Sequence, residues 1–333
     1  MHTLVPHFIL ENDAQGKRQG SFDAVGLFVD VSGFSAMADV MMQQGQHGAE
    51  VMRAIFDPLI ASVYGQGGFV ATLAGDALTA LFPLDQTGSD AYVRPLAAAW
   101  QIQAQMVEQP HHHTPYGVFA VAAKVGLATG AVHWGIVAAV DDTRASYYFQ
   151  GAAVDGCAAA EHLAHAGQII VAANALAQVQ TWVTARPVAD HCQITAVTGV
   201  LPAGRSVTLP TVDAARLSRF YPPALITQRH SGEFREVVNV FVNLPTVRTA
   251  AQLAIFMQTI FDNTVLGVMS LLCAESCQQP VVLMIEDAHW LDEDSRLFLA
   301  RFWHSLAAAV EQPYPIAILA TARNEGGALL PEP

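Results

Sequence analysis

Residues 23–31, DAVGLFVDV, form a nearly unbroken run of Val, Leu and Phe, the pattern of a strand buried on both faces. A helical stretch follows, from SAMADVMMQQ (35–44) through GAEVMRAIFDPLIASVYGQGG (48–68), and glycines close it. Two short apolar segments, GFVATLA (68–74) and ALTALF (77–82), flank a Gly-Asp turn and predict a hairpin with Asp76 at its tip. A long helix is predicted over 89–109, a loop at HHHTPYG (111–117), and two strands over 119–130 and 131–140. A short SYYFQG (146–151), an Ala-rich helix (152–167) and the strand QIIVAA (168–173) complete the unit. Elements in this order predict an α+β sandwich with helices covering one face of a mostly antiparallel sheet.

Beyond residue 200 the pattern weakens, and 201–234, with its Pro, Gly and Arg, reads as a linker. An internal repeat then begins. EFREVVNVFVNLP (233–245) mimics SFDAVGLFVDVSG (21–33), with Asn243 where the first copy has Asp30. The second copy lacks a later Gly-Asp hairpin, so 235–263 reads as a truncated start of the same module. From 264 onward the pattern changes to VVLMIEDAHWLDEDS, a helix, and PYPIAILATARNE, which is an α/β arrangement.

Composition narrows the function classes. The chain has 333 residues, 52% of them hydrophobic, with 29 acidic against 16 basic residues and a net charge of −13. That balance argues against a nucleic-acid partner held on a broad basic face. The N-terminal segment lacks the charged start and apolar run of a secretory signal, and the longest apolar windows are interrupted by Gln, Asp and Asn. No membrane span and a cytoplasmic location are expected. Cys157, Cys192, Cys273 and Cys277 form no zinc or redox spacing, and Cys157 reads as helix packing. Trp134, Trp182 and Phe149 are expected in the core, and the His111–His113 run on a solvated loop.

Two carboxylates stand out against this apolar background, Asp30 in the first strand and Asp76 at the hairpin tip. Carboxylates at the ends of adjacent strands can grip a pair of divalent cations and so serve phosphoryl displacement. Mg²⁺ suits such a site, since it takes few protein carboxylates and fills its shell with water and phosphate oxygens. The turn after Asp30 opens a helix whose free N–H groups would cradle a triphosphate.

Four segments in this order, FVDVSGFSAM (28–37), LAGDALTALF (73–82), KVGLATGAV (124–132) and FQGAAVDGCAAAEHLA (149–164), resemble the class III nucleotidyl cyclases. The resemblance is to the first catalytic half of bicarbonate-responsive soluble adenylyl cyclases and their bacterial relatives. It implies a ferredoxin-like βαββαβ cyclase sandwich over residues 1–200, and the cyclisation of ATP, ahead of GTP, to a cyclic nucleotide and pyrophosphate. It also implies two Mg²⁺ or Mn²⁺ ions held by Asp30, Asp76 and the Val31 carbonyl, with Asp30 and Asp76 as the catalytic acids. Ser32, Gly33, Phe34 and Ser35 match the phosphate-facing turn, and Lys124 matches a basic residue set against the terminal phosphates.

The departures are specific. Thr72 and Tyr148 stand where the family reads the base, and Asp155 and Ala159 where it places its transition-state Asn/Arg pair. The bicarbonate-sensing basic pair falls on Thr72 and Ala158. A complementary cyclase half, from another chain or a missing segment, is therefore expected as a partner. The open alternatives are a non-catalytic nucleotide-binding module and a fragment of a larger cyclase–ATPase signalling protein. VVLMIEDAHWLDEDS resembles the Walker B strand of signal-transduction ATPases, with Glu286 and Asp287 as vestigial metal-side acids in a partial α/β P-loop-type segment. No G-x-x-x-x-G-K-[ST] accompanies it.

Overall fold

The computed structural model describes residues 5–41, 46–84, 90–138, 144–205, 214–221, 280–285, 293–308 and 314–320, with a few positions between 269 and 277. These residues divide into two compact units, the first holding most of 5–136 and 147–205.

In the first unit a short helix α1 (His7–Ala14) precedes the 14-residue strand β1 (Gln19–Ser32). Helices α2 (Phe34–Met41) and α3 (Gln46–Gly65) lead to the hairpin β2 (Phe69–Ala74) and β3 (Ala77–Pro83). Helix α4 (Asp90–Glu108) is followed by a separate hairpin, β4 (His111–Thr114) and β5 (Gly117–Ala120), and then by β6 (Ala122–Ala138). Strand β7 (Ala145–Gln150), helix α5 (Ala152–His162), β8 (Ile169–Ala172), α6 (Ala173–Val179), β9 (Val183–Val188) and β10 (His191–Val197) follow. The main sheet runs β2-β3-β1-β6-β8-β10-β9, with β7 paired to β6. The β6–β8 pair is parallel and the other pairs along the path are antiparallel, so the fold is mixed α+β. Strands β1, β2, β3 and β6 with the intervening helices make the βαββαβ core expected from the sequence.

Strand β1 is central because both faces are covered. Val25, Leu27, Val29 and Val31 point into a core with Met37 and Met41 of α2, Leu59 of α3, Leu96 and Ile102 of α4, and Val179 of α6. Burying each such aliphatic side chain contributes about 1.5–3 kcal/mol. The opposite face carries α5, a departure from the expected single helical layer. Its close approach depends on small residues: a Cβ on Gly26 would run into the Ala153 carbonyl, and one on Gly126 into that of Cys157. A Cβ on Gly130 would sit 2.7 Å from Ala152 Cβ, and one on Gly156 2.8 Å from Ala128 Cβ. Near the other edge Phe8 of α1 stacks on Phe69 and meets Trp134 edge-on, joining Phe22 and Phe149 in an aromatic cluster.

Three local expectations change. The two strands expected over 119–140 become one continuous β6 preceded by β5, because Gly130 makes room for α5 instead of turning the chain. HHHTPYG is a hairpin rather than a loop: Thr114 Oγ1 accepts from the Tyr116 N–H and donates to the Gly117 carbonyl, closing its turn. Strands β9 and β10 extend the sheet past the strand that was expected to close it.

The second unit contains α7 (Ala214–Leu217), β11 (Val281–Ile285), α8 (Glu293–Ala308) and β12 (Ile316–Ala320). Strands β11 and β12 pair in parallel, Val281 opposite Ile316 and Ile285 opposite Ala320. Phe298 and Phe302 of α8 stack at 5.8 Å, and Phe302 is fully buried. Asn243 with its repeat, and the acids Glu286 and Asp287, lie outside the described residues. Among the described residues no helix is long and apolar enough to cross a membrane.

Candidate metal and phosphate site

Asp30 is the third-last residue of β1, opposite Ala77 of β3 on one side and Lys124 of β6 on the other. One step further, the Val31 N–H donates to the Asp76 carbonyl at 3.0 Å, so the β2–β3 hairpin tip is hydrogen-bonded to the end of β1. Gly75 makes that tip possible with a φ of +62, a conformation that side chains resist. Asp30, near the end of β1, and Asp76, in the β2–β3 turn, thus stand at one end of one sheet.

Across the other pairing, the Lys124 ammonium lies 2.6 Å from Asp30 Oδ2 and 2.7 Å from Glu161 Oε1. The Asp30 side chain is 21% exposed and that of Glu161 only 4%. Glu161 is the last but one residue of α5, drawn down by the packing of that helix on Gly126. Its Oε1 meets the ammonium as a close ion contact rather than a well-angled hydrogen bond, and exposed His162 lies 3.3 Å from its Oε2. The hydrogen bond to Asp30 first, and the Glu161 carboxylate second, hold the Lys124 ammonium above the ordinary lysine range, outweighing the effect of burial.

The turn after Asp30 is fixed by Gly33, which has a φ of +87 and no room for a Cβ against the Ala120 carbonyl. Phe34 opens α2 with its ring in the core, edge-on to Phe56 at 5.6 Å. Any contact it makes with a phosphate is therefore left to its backbone. Ser32 is half-buried and Ser35 exposed.

The donors available suit a hard divalent cation. Asp30, Asp76 and the backbone oxygen of Val31 offer oxygen donors, the kind that Mg²⁺ and Mn²⁺ prefer. The best indication of fit is the ammonium already against Asp30, a positive charge standing where a cation would be held. Among the described residues no group of three or more His, Cys, Asp or Glu side chains converges on one point.

Thr72, Asp155 and Ala159 are exposed, Ala158 and Tyr148 half-buried, and the Tyr148 ring packs on Gly135. Sequence reasoning passed over Glu161. The signal was present: α5 buries Ala153, Cys157, Ala160 and Glu161, so 161 falls on the inward stripe at helical spacing. A carboxylate on such a stripe requires a cationic or hydrogen-bonding partner.

No family model matches the chain. It is 27% identical to adenylate cyclase type 10 of Rattus norvegicus over 183 residues, 51% of this chain and 11% of that protein. With the Homo sapiens adenylate cyclase type 10 it shares 26% identity over 160 residues, 46% of this chain and 10% of that one. The chain thus corresponds to about a tenth of the length of these curated relatives, and over that part it is homologous to them. Among solved structures, the guanylyl cyclase Cya2 aligns with 57% of this chain at TM-score 0.47 and 18% identity, over 100% of its own length. The adenylyl cyclase CyaB from P. aeruginosa aligns with 55% at TM-score 0.44 and 16% identity, over 96% of its own.

Proposed function

From homology over about half its length to adenylate cyclase type 10, we propose that this chain carries the metal-giving half of a class III nucleotidyl cyclase. The reaction is the cyclisation of ATP to cyclic AMP and pyrophosphate: the ribose 3′-oxygen bonds to the α-phosphorus as the bond to the pyrophosphate oxygen breaks. The observation that carries the reading is the bond between the Val31 N–H and the Asp76 carbonyl, which ties the two acidic residues to one end of one sheet.

In this reading Asp30 and Asp76, with the Val31 carbonyl, hold two Mg²⁺ or Mn²⁺ ions. Such ions, when bound, neutralise the charge that builds on the attacking and leaving oxygens. The chain's own groups do the positioning. Backbone N–H groups of Ser32 to Ser35, at the start of α2, orient the triphosphate. Lys124 supplies a positive charge beside it. Thr72, Tyr148, Asp155 and Ala159 are not base-reading or transition-state groups of the family, so a complementary half supplies those. The domain limits follow the same reading: 1–200 as the cyclase half, 201–234 as a linker, 235–263 as a truncated second half and 264–333 as a partial ATPase segment.

The test is cyclic-nucleotide formation by this chain mixed with a separately expressed complementary half, with Mg²⁺ or Mn²⁺ and with ATP or GTP in parallel. Cyclic AMP is expected, falling by about 100-fold or more in Asp30→Ala and in Asp76→Ala. Product formation indifferent to both substitutions would overturn the assignment. The same substituted positions favour a second reading, a nucleotide-binding module without turnover; tight nucleotide binding with no product from any complemented mixture would select it.

A further inference from the structure

Lys124 is gripped by two carboxylates that differ in their hold on it. Glu161 is nearly sealed from solvent, on a helix clamped to the sheet by Gly126 and backbone-close to β6. An isolated charge in that position is costly, so Glu161 does not release its cation cheaply. Asp30 lies at a strand end with a fifth of its side chain open, where water or another cation can replace the ammonium. At 2.6 Å the ammonium is hydrogen-bonded to Oδ2, and its charge repels a divalent ion approaching the same carboxylate, so metal binding at Asp30 favours its departure.

We propose that Lys124 is a built-in counter-ion of Asp30 that a divalent cation displaces, and that Glu161 is the positioning residue that retains the ammonium beside the site once displaced. The inference rests on Asp30 being a metal ligand, as proposed above. It has a direct consequence: the ammonium holds down the affinity for metal alone. An anion that gives Lys124 a second partner, such as inorganic pyrophosphate, raises that affinity by removing the competitor from Asp30.

The chain has two lysines, Lys17 and Lys124, so side-chain ¹⁵N NMR of lysine-labelled protein reads the ammonium directly. Addition of Mg²⁺ to the full wild-type chain is expected to shift the Lys124 Nζ signal and leave that of Lys17 in place. In parallel, Mn²⁺ affinity is followed by the free-ion electron paramagnetic resonance signal in wild type, Asp30→Asn and the double variant Lys124→Met/Glu161→Gln. The double variant removes both charges together, which keeps Glu161 from being stranded as Lys124→Met alone would. It is expected to bind Mn²⁺ about fivefold or more tightly than wild type, the ratio that corresponds to about 1 kcal/mol of lost ion pairing. Asp30→Asn is expected to weaken Mn²⁺ binding. If Asp30→Asn weakens binding but the double variant binds no tighter and Lys124 Nζ does not move, displacement is overturned while the metal site stands. Mn²⁺ affinity indifferent to Asp30→Asn overturns the metal reading, and this inference with it.

Discussion

Single residues divide here into those whose chemistry shows in the sequence and those whose neighbours decide it. Asp30 stands out at once, an acid in a run of Val, Leu and Phe. Glu161 does not, because its importance comes from a contact with Lys124 across helix and sheet. Cys157 makes the same point for reactivity. It is fully buried against Gly26, and burial pushes its thiol up to about 12, so the thiolate is scarce at neutral pH. Cys277 is exposed. Iodoacetamide at pH 7.5 followed by peptide mass mapping should label Cys277 in the native protein and reach Cys157 only after denaturation. Labelling of Cys157 at the Cys277 rate without denaturant would contradict its packing.

At the level of elements, the hydrophobic pattern located β1, the hairpin β2–β3, α4 and α5 but misjudged how they join. Gly130 looked like a break between two strands and instead lies inside β6 as a contact point for α5. The sequence pattern cannot distinguish a glycine that turns the chain from one that admits a neighbour, since both leave the same gap in apolar periodicity. The seam has a sharp test in Gly126→Ala. The new methyl would meet backbone of Cys157 and Glu161, which cannot rotate away as a side chain would. We expect a loss of about 3 kcal/mol or more in urea unfolding, toward the upper end of overpacking costs. A loss below about 0.5 kcal/mol would show that α5 slides freely on the sheet.

On the scale of the whole molecule, the first unit is closed by the segment after β10. The Thr198 N–H bonds to the Trp182 carbonyl, the Gln66 side chain donates to the Pro202 carbonyl, and the Arg205 N–H donates to the Gly65 carbonyl. Leu201 packs on the main core. A fragment ending at Arg205 should therefore unfold in one cooperative transition by circular dichroism. One ending at Val197 should be weaker by about 2–4 kcal/mol, from these three hydrogen bonds and one apolar side chain. Equal stability of the two fragments would remove that segment from the fold. The sequence by itself determined the order of β1, the helices after it, β2, β3, α4 and α5, the placing of Asp30 and Asp76 at element ends, and the glycine turn between β1 and α2. Those features are local, set by backbone preference and by periodicity within a few residues. Tertiary structure alone decided that α5 lies on the second face of the sheet and that Lys124 rests between Asp30 and Glu161. Both depend on glycines far apart in the chain meeting one helix, and on which ion is nearest once the sheet has closed.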